Sequence, residues 1–297
     1  MRLIIEIPQF LKEKIEKEYG LEILNKIETG LIEEKPVTLR VNTIKSNAEK
    51  VKIELEKNNI EYEIVEWNKL AFIIKNVKED EIRKLEIYNN GEIYLQSLSS
   101  MIPAIIIDPK ERENILDMTA APGGKTSQIA AIANNKVFLT ACEKNKIRLD
   151  RLQYNMQKQG VKNINIMQED SRKLSNYFSF DKILLDAPCS GSGTENVFNS
   201  NFTEELIKRS CKTQEELLTK ALSILKHGGE MVYSTCSILK EENEEILNKV
   251  LKKFKAQIVP IQIPKEIPVL PTSIDGVATI CPTKLYEGFF VAKILLA

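Results

Sequence analysis

Two cysteines stand in short polar turns, each directly after an apolar run. Cys189 lies in Asp186-Ala187-Pro188-Cys189-Ser190-Gly191 behind Ile183-Leu184-Leu185, and Cys236 in Tyr233-Ser234-Thr235-Cys236-Ser237 behind Met231-Val232-Tyr233. Apolar runs of this length, bounded by turn residues, read as buried strands, and strand ends in open α/β sheets are where ligands and chemistry gather. A third strand end carries the glycine-rich turn Asp117-Met118-Thr119-Ala120-Ala121-Pro122-Gly123-Gly124-Lys125-Thr126. Small residues let a backbone approach a ligand closely, and the helix that follows offers free N–H donors. Two thiols facing such a turn point to covalent chemistry on a poor nucleophile.

The turn admits three readings. A phosphate-binding loop needs Gly-x-x-x-x-Gly-Lys-Ser/Thr; Gly124-Lys125-Thr126 fits, but Thr119 stands where the first glycine belongs. The dinucleotide fingerprint Gly-x-Gly-x-x-Gly is absent. An adenosine site of the kind found in methyltransferases remains. Glu143, about one strand-helix unit later, stands where nucleotide folds place an acid for ribose hydroxyls; it reads equally as a helix cap. Asp170, at the next strand end, is placed to reach an adenine amino group or to cap a turn. Lys125 reads as a substrate-facing cation or as an ordinary first-turn residue, although lysine opposes the helix dipole there.

These turns need a frame. From about residue 92 the chain alternates strands (114–118, 136–142, 163–168, 182–186, 230–234, 257–262 and 289–294) with helices (125–133, 144–159, 203–226 and 240–254). That alternation predicts a mostly parallel sheet covered on both faces. The last strand follows another strand without a helix, which predicts an antiparallel hairpin at that edge, and proline-rich 260–282 reads as an irregular connection. Residues 1–90 read as a separate small α+β module, with helices from Phe10 and Leu21, strands at 37–41, 60–65 and 70–74, and a helix at 48–58.

Composition narrows the class. Hydrophobic content of 43% and 28% charged residues suit a globular domain. No stretch is apolar enough to span a membrane, and Met1–Pro8 lacks a leader layout, so a cytoplasmic protein is expected. Five scattered cysteines and one histidine, His227, give a zinc site little to draw on; no metal is expected. The 42 basic and 42 acidic residues cancel, so any nucleic-acid contact must use a local patch.

The glycine turn, the Pro-Cys and Thr-Cys motifs, Leu39-Arg40-Val41-Asn42-Thr43, Gln96-Ser97, Glu241–Glu244 and Gly288–Ala292 together resemble the signatures of the Nop/Sun family of RNA cytosine-5 methyltransferases. The resemblance runs from about residue 35 to the end. It implies a class I methyltransferase, Rossmann-like, with a seven-stranded sheet in residues 91–297 and an RNA-binding α+β module in 1–90. It implies S-adenosyl-L-methionine as cofactor, structured RNA (tRNA or rRNA) as partner, and a monomer without membrane or metal. By resemblance Cys236 is the nucleophile at C6 of the cytosine and Cys189 assists proton removal or product release, with Asp186 and Lys125 on the ring. The expected cofactor residues are Thr119, Ala120, Ala121, Pro122, Gly123, Gly124, Lys125, Glu143, Arg148, Asp170 and Asp186. Arg40 is read as an RNA contact or a structural ion pair. DNA cytosine methylation and a non-catalytic ribosome-assembly role are the alternatives.

Overall fold

The computed structural model describes residues 6–297; the expectation of no leader rests on the first residues, of which 1–5 lie outside the described ones. Helices α1 (Gln9–Tyr19) and α2 (Leu21–Ile32) precede β1 (Thr38–Val41), α3 (Ala48–Lys57), β2 (Tyr62–Ile64), β3 (Ala71–Ile74), α4 (Glu79–Lys84), α5 (Glu86–Asn89) and β4 (Ile93–Leu95). The four strands form an antiparallel sheet in the order β2-β3-β1-β4. Successive side chains of a strand point to opposite faces. Accordingly Leu39 and Val41 join Val51, Leu55, Phe72 and Ile82 in the core of this module. Ala71 and Ile73 turn the other way and pack with Leu98, Met101 and Ile102 of α6 (Leu98–Ile106).

Two features differ from the reading of residues 1–90 as one unit. The small sheet runs on to Leu95, because β1 needs a partner on its second edge and β4 supplies it. The faces of α1 and α2, with Leu11, Ile15, Leu24 and Ile27, pack against Val197, Phe202, Ile207, Ile238 and Leu239 of the larger unit, not against the small sheet.

The larger unit holds β5 (Asn114–Asp117), α7 (Gly124–Ile132), β6 (Phe138–Cys142), α8 (Lys146–Gln159), β7 (Ile164–Met167), β8 (Phe180–Asp186), α9 (Glu204–Ile224), β9 (Leu225–Thr235), α10 (Glu244–Leu251), β10 (Ala256–Val259), β11 (Val269–Leu270), β12 (Ala278–Ile280) and β13 (Phe289–Leu296). The order is β7-β6-β5-β8-β9-β13, parallel up to β9, with β13 antiparallel to it. All seven expected strands are present. The last one is not at an edge, however: β10 and β12 both pair with the far side of β13. Phe289 to Ala292 are buried without a break, so neither sheet face nor strand edge of that stretch can be left to solvent. Two short strands, β11 and β12, also interrupt the connection expected to be irregular and bring the sheet to nine. Among the described residues no helix is long and apolar enough to cross a membrane.

The chain leaves β5 toward β6 and β7, then returns to β8 on the other side of β5. This reversal opens a crevice at the carboxyl ends of β5 and β8, where the glycine turn and the Pro-Cys turn emerge.

Arg40 fastens the small module to this crevice. Only 3% exposed, it donates through Nε to Gln96 Oε1 (3.0 Å) and through Nη2 to Ser127 Oγ (3.1 Å) and the Gly124 carbonyl (3.3 Å). Its guanidinium also lies over the ring of Tyr94, 5.5 Å from the centroid. Burial lowers its pKa to about 10. Replacing it by methionine keeps much of the volume but leaves Gln96 and Ser127 without their donor, at a cost of about 2–3 kcal/mol. Arg40→Met should therefore lower the denaturation midpoint; an unchanged midpoint with weakened RNA affinity would instead make Arg40 an RNA contact.

Candidate active site

The glycine turn leaves β5 at Asp117, passes a cis Ala121–Pro122 peptide, and enters α7 through Gly123. Gly123 has φ +107, a conformation that favours glycine. Asp117 is buried. Its carboxylate accepts from Thr126 Oγ1 (2.6 Å) and the Thr119 N–H (3.3 Å), and burial pushes its pKa up to about 6. Thr119 Oγ1 donates to the Asp186 carbonyl at 2.8 Å, joining the turn to the end of β8.

At that end Asp186 pairs with Lys125, Oδ2 to Nζ at 2.8 Å, and accepts from Ser234 Oγ through Oδ1 at 2.8 Å. Lys125 donates also to Ser100 Oγ (2.7 Å) and lies 5.3 Å from the Phe289 ring centroid. Its ammonium thus reaches back from α7 across the crevice, which accounts for lysine in a first turn where the dipole disfavours it.

In the parallel pairing of β8 and β9, Asp186 is opposite Ser234. The chains leave these neighbouring positions together, and the sulfurs of Cys189 and Cys236 come within 2.8 Å of each other; both cysteines are free thiols. The hydrogen bond with Cys236, then burial, pushes the Cys189 thiol well above its ordinary pKa. The proton therefore stays on Cys189.

A carboxylate holds this loop pair. Glu242, wholly buried, accepts from the Ser190 N–H (2.8 Å), Ser190 Oγ (2.5 Å) and Gln214 Nε2 (3.1 Å), while burial raises its pKa. The helix expected to begin at Lys240 begins at Glu244 instead. Asn243 breaks it, with φ −120 and ψ −89, because its side chain is engaged by Thr235 Oγ1 (2.6 Å) and the Ser237 carbonyl (2.9 Å). Backbone bonds from Gly193 N–H to the Cys236 carbonyl (3.0 Å) and from Gly288 N–H to the Gly193 carbonyl (2.7 Å) complete the clasp. A Cβ on Gly193 would lie 2.2 Å from the Gly288 oxygen, so a side chain there would force the loops apart.

Beside the thiols runs a cleft with about 790 Å³ of empty volume including its mouth, bordered by Thr119, Ala121, Glu143, Asp170, Asp186 and both cysteines. Glu143 is buried at the end of β6; Oε1 accepts from the Asn145 N–H (2.8 Å) and Oε2 faces Arg148 Nε at 3.4 Å. Each oxygen keeps a lone pair for a hydroxyl donor. Arg148 also donates to the Ala121 carbonyl at 2.7 Å, bracing the turn. Asp170 does what a cap does: it accepts from the Arg172 N–H (3.1 Å), pairs with the Arg172 guanidinium, and is held at about 2 by it. A second opening, lined by Ser100, Ala120, Pro122, Gly124, Lys125 and Asp186, meets this cleft at Thr119 and Ala121. Every residue expected at the site thus lies at one of the two openings or, for Gly123, in the turn between them. Asp117, Ser234 and Glu242 were missing from that set. The available signals were the position of Asp117 directly before the turn and the place of Ser234 and Glu242 within two of the signature segments.

The sequence model of the 16S rRNA methyltransferase RsmB/F family matches residues 104–295, and that of the RsmF/B-like ferredoxin-like domain matches 7–78. The chain belongs to the RsmB/F methyltransferase family. Among its RsmB/F relatives, a tRNA (cytosine(72)-C(5))-methyltransferase of Pyrococcus horikoshii is 36% identical over 218 residues, 72% of this chain and 54% of the relative. Ribosomal RNA small subunit methyltransferase F of Shewanella amazonensis is 32% identical, over 87% of this chain and 57% of the relative. The chain therefore spans little more than half the length of these two relatives. The solved structure of NSun6 from Pyrococcus horikoshii with SFG superposes with a TM-score of 0.89 at 26% identity, covering 99% of each chain.

Asp117 makes the RsmB/F turn sensitive to pH. Its folded pKa is raised from 3.8 to about 6, so its stabilising contribution is complete below pH 3.8 and is lost as pH rises through 6. Asp117→Asn cannot ionise. The stability of the variant relative to the unaltered protein should improve between pH 4 and pH 7 in paired melts; a difference independent of pH would show that Asp117 does not titrate in this window.

Proposed function

We propose that this chain methylates C5 of a cytosine in structured RNA, using S-adenosyl-L-methionine. The observation that carries the reading is the pair of free thiols 2.8 Å apart, between the cofactor cleft and the Lys125–Asp186 pair. The relatives named above support it, as does SFG, an S-adenosylmethionine analogue, in the matching structure.

The cleft fits the cofactor. Glu143 has acceptor capacity for ribose hydroxyls, and the turn from Thr119 to Gly124 presents backbone to the ligand's flank. Asp170 contributes its carboxylate edge, although Arg172 occupies it in part. Bound there, the cofactor supplies an electrophilic methyl group. The chain's own residues do the rest. Cytosine C5 is too electron-poor to take a methyl unaided, so Cys236 as thiolate adds to C6 and makes C5 enamine-like. Cys189, which keeps its proton, lies within hydrogen-bond reach of the Cys236 sulfur. Asp186 accepts from the exocyclic amine, and the Lys125 ammonium offsets charge gathering on the ring. After transfer, C5 loses its proton, the C5–C6 double bond re-forms, and the electron pair of the C6–S bond returns to Cys236. Once the Cys236 sulfur is bonded to carbon it carries no charge, which removes the main cause holding the proton on Cys189. Cys189 can then give its own proton to water and, as thiolate, accept the proton leaving C5.

A DNA substrate would put the nucleophile in the Pro-Cys turn. The relatives this chain matches are named for tRNA and rRNA instead. An assembly factor without catalysis has no use for a thiol pair held in register.

The two thiols separate these readings. Cys236→Ala should abolish methyl transfer and form no covalent RNA species. Cys189→Ala should accumulate an RNA–protein adduct resistant to denaturing gels and dependent on S-adenosylmethionine. An adduct with Cys236→Ala instead would reverse the assignment.

A further inference from the structure

The active site continues into a groove that the chemistry above does not use. Tyr94, Leu95 and Pro122 line both the opening beside Lys125 and a larger groove between the small module and α8, with about 1400 Å³ of empty volume including its mouth. The small module contributes Arg83 and Tyr88 to it, and α8 contributes Arg151, Tyr154 and Lys158. In a chain with no net charge, this is a local concentration of cations and aromatic rings.

The charges are not balanced within the fold. Arg83 is paired with Glu79, and Asp150, the groove's carboxylate, is paired with Lys146 at 2.8 Å. Arg151 and Lys158 have no carboxylate partner among the described residues. Lys158 Nζ sits 3.6 Å from the centroid of the Tyr88 ring and 5.9 Å from that of Tyr154. Burial, then the neighbouring charges of Arg83 and Lys45, lowers its pKa. Unpaired like charges gathered in one groove are unfavourable until an anion arrives. Tyr154 is 62% exposed on α8, a ring presented to solvent. On the groove wall Gln159 is 2% exposed and donates to the Ile93 carbonyl (3.2 Å), yet its buried Oε1 has no hydrogen-bond partner. A buried acceptor left open is costly, so the groove wall is not optimised for the fold's stability alone.

We propose that this groove carries the RNA strand next to the target cytosine, with an unpaired base stacked on Tyr154 and backbone phosphates on Arg151 and Lys158. The inference rests on the RNA reading above and deepens it. Rings that take bases beside cations that track phosphates are the mark of single-stranded nucleic-acid binding. Continuity decides the placement: a strand that delivers a base to Lys125 and Asp186 must run out of that opening, and the groove begins at its rim. The base is held by stacking rather than by edge contacts, so flanking sequence should matter less than the absence of pairing there.

The test uses the full chain and a short fluorescein-labelled single-stranded RNA with one central cytosine, followed by anisotropy across a salt series. Tyr154→Ala should weaken binding about fivefold or more. Arg151→Gln with Lys158→Gln should flatten the log–log salt dependence by about 1.4, at about 0.7 per lost phosphate contact. Calorimetric S-adenosylmethionine affinity should stay within about twofold, which shows an intact fold; Tyr154 is exposed, so its variant keeps the test decisive if the double variant does not fold. If the variants match the unaltered protein in RNA affinity and salt slope while that protein binds and methylates RNA, the groove assignment alone fails. If the unaltered protein does not bind RNA, the RNA reading fails and the groove with it. Displacement of the labelled RNA by polyglutamate at a far lower concentration than by unlabelled RNA of equal charge would assign the groove to an acidic polypeptide and overturn the proposal.

Discussion

The register that sets Asp186 opposite Ser234 is the constraint on which the site depends. Parallel strands deliver their following loops to the same end of the sheet, and a shift of one residue would turn every side chain to the other face. With the register as it is, the Pro-Cys and Thr-Cys turns leave side by side and their sulfurs meet. The Ser234 hydroxyl, on the strand carrying one thiol, hydrogen-bonds the carboxylate that ends the strand carrying the other. That carboxylate is tied in turn to Lys125 from the glycine turn. Three strand ends are thus joined by one ion pair and one hydroxyl.

Burial sets the electrostatics. Glu242 sits in the dry interior beneath the loops, and its acceptor bonds from Ser190 and Gln214 offset its desolvation. Asp117 is held similarly by Thr126 and Thr119. Glu242 stays beneath the openings and Asp117 reaches the one beside Lys125, and each fixes a loop of the site. The two cysteine sulfurs lie 2.8 Å apart, so a change at one sulfur is felt at the other. This suits a reaction in which a thiol must attack, stay bonded during transfer, and then be expelled.

Much of this was legible in the chain because the informative runs are local. The seven strands, the glycine turn and both cysteine turns each announce themselves within ten residues. What was not legible depends on partners distant in sequence. Ile93–Leu95 is too short to show a period, and it becomes a strand because β1 has a free edge. The apolar faces of α1 and α2 reveal that they are buried but not that Ile207 and Ile238 bury them. Arg40 reads as an RNA contact or a structural ion pair until it is seen against Gln96 and Ser127, which lie 56 and 87 residues away. Glu242 belongs to a signature segment whose role the sequence does not state, and the break at Asn243 that frees it rests on a bond to Thr235. The last strand was misplaced at an edge because an unbroken apolar run does not say how many neighbours it has.

The most direct test of the account is the position of the transferred methyl. RNA incubated with the protein and S-adenosylmethionine carrying a deuterated methyl group would be digested to nucleosides and resolved by mass spectrometry against standards. The account predicts label in 5-methylcytidine, with the C5 hydrogen lost. Label in N-methylated cytidines or on the ribose would contradict it, because those positions take a methyl without a thiol at C6.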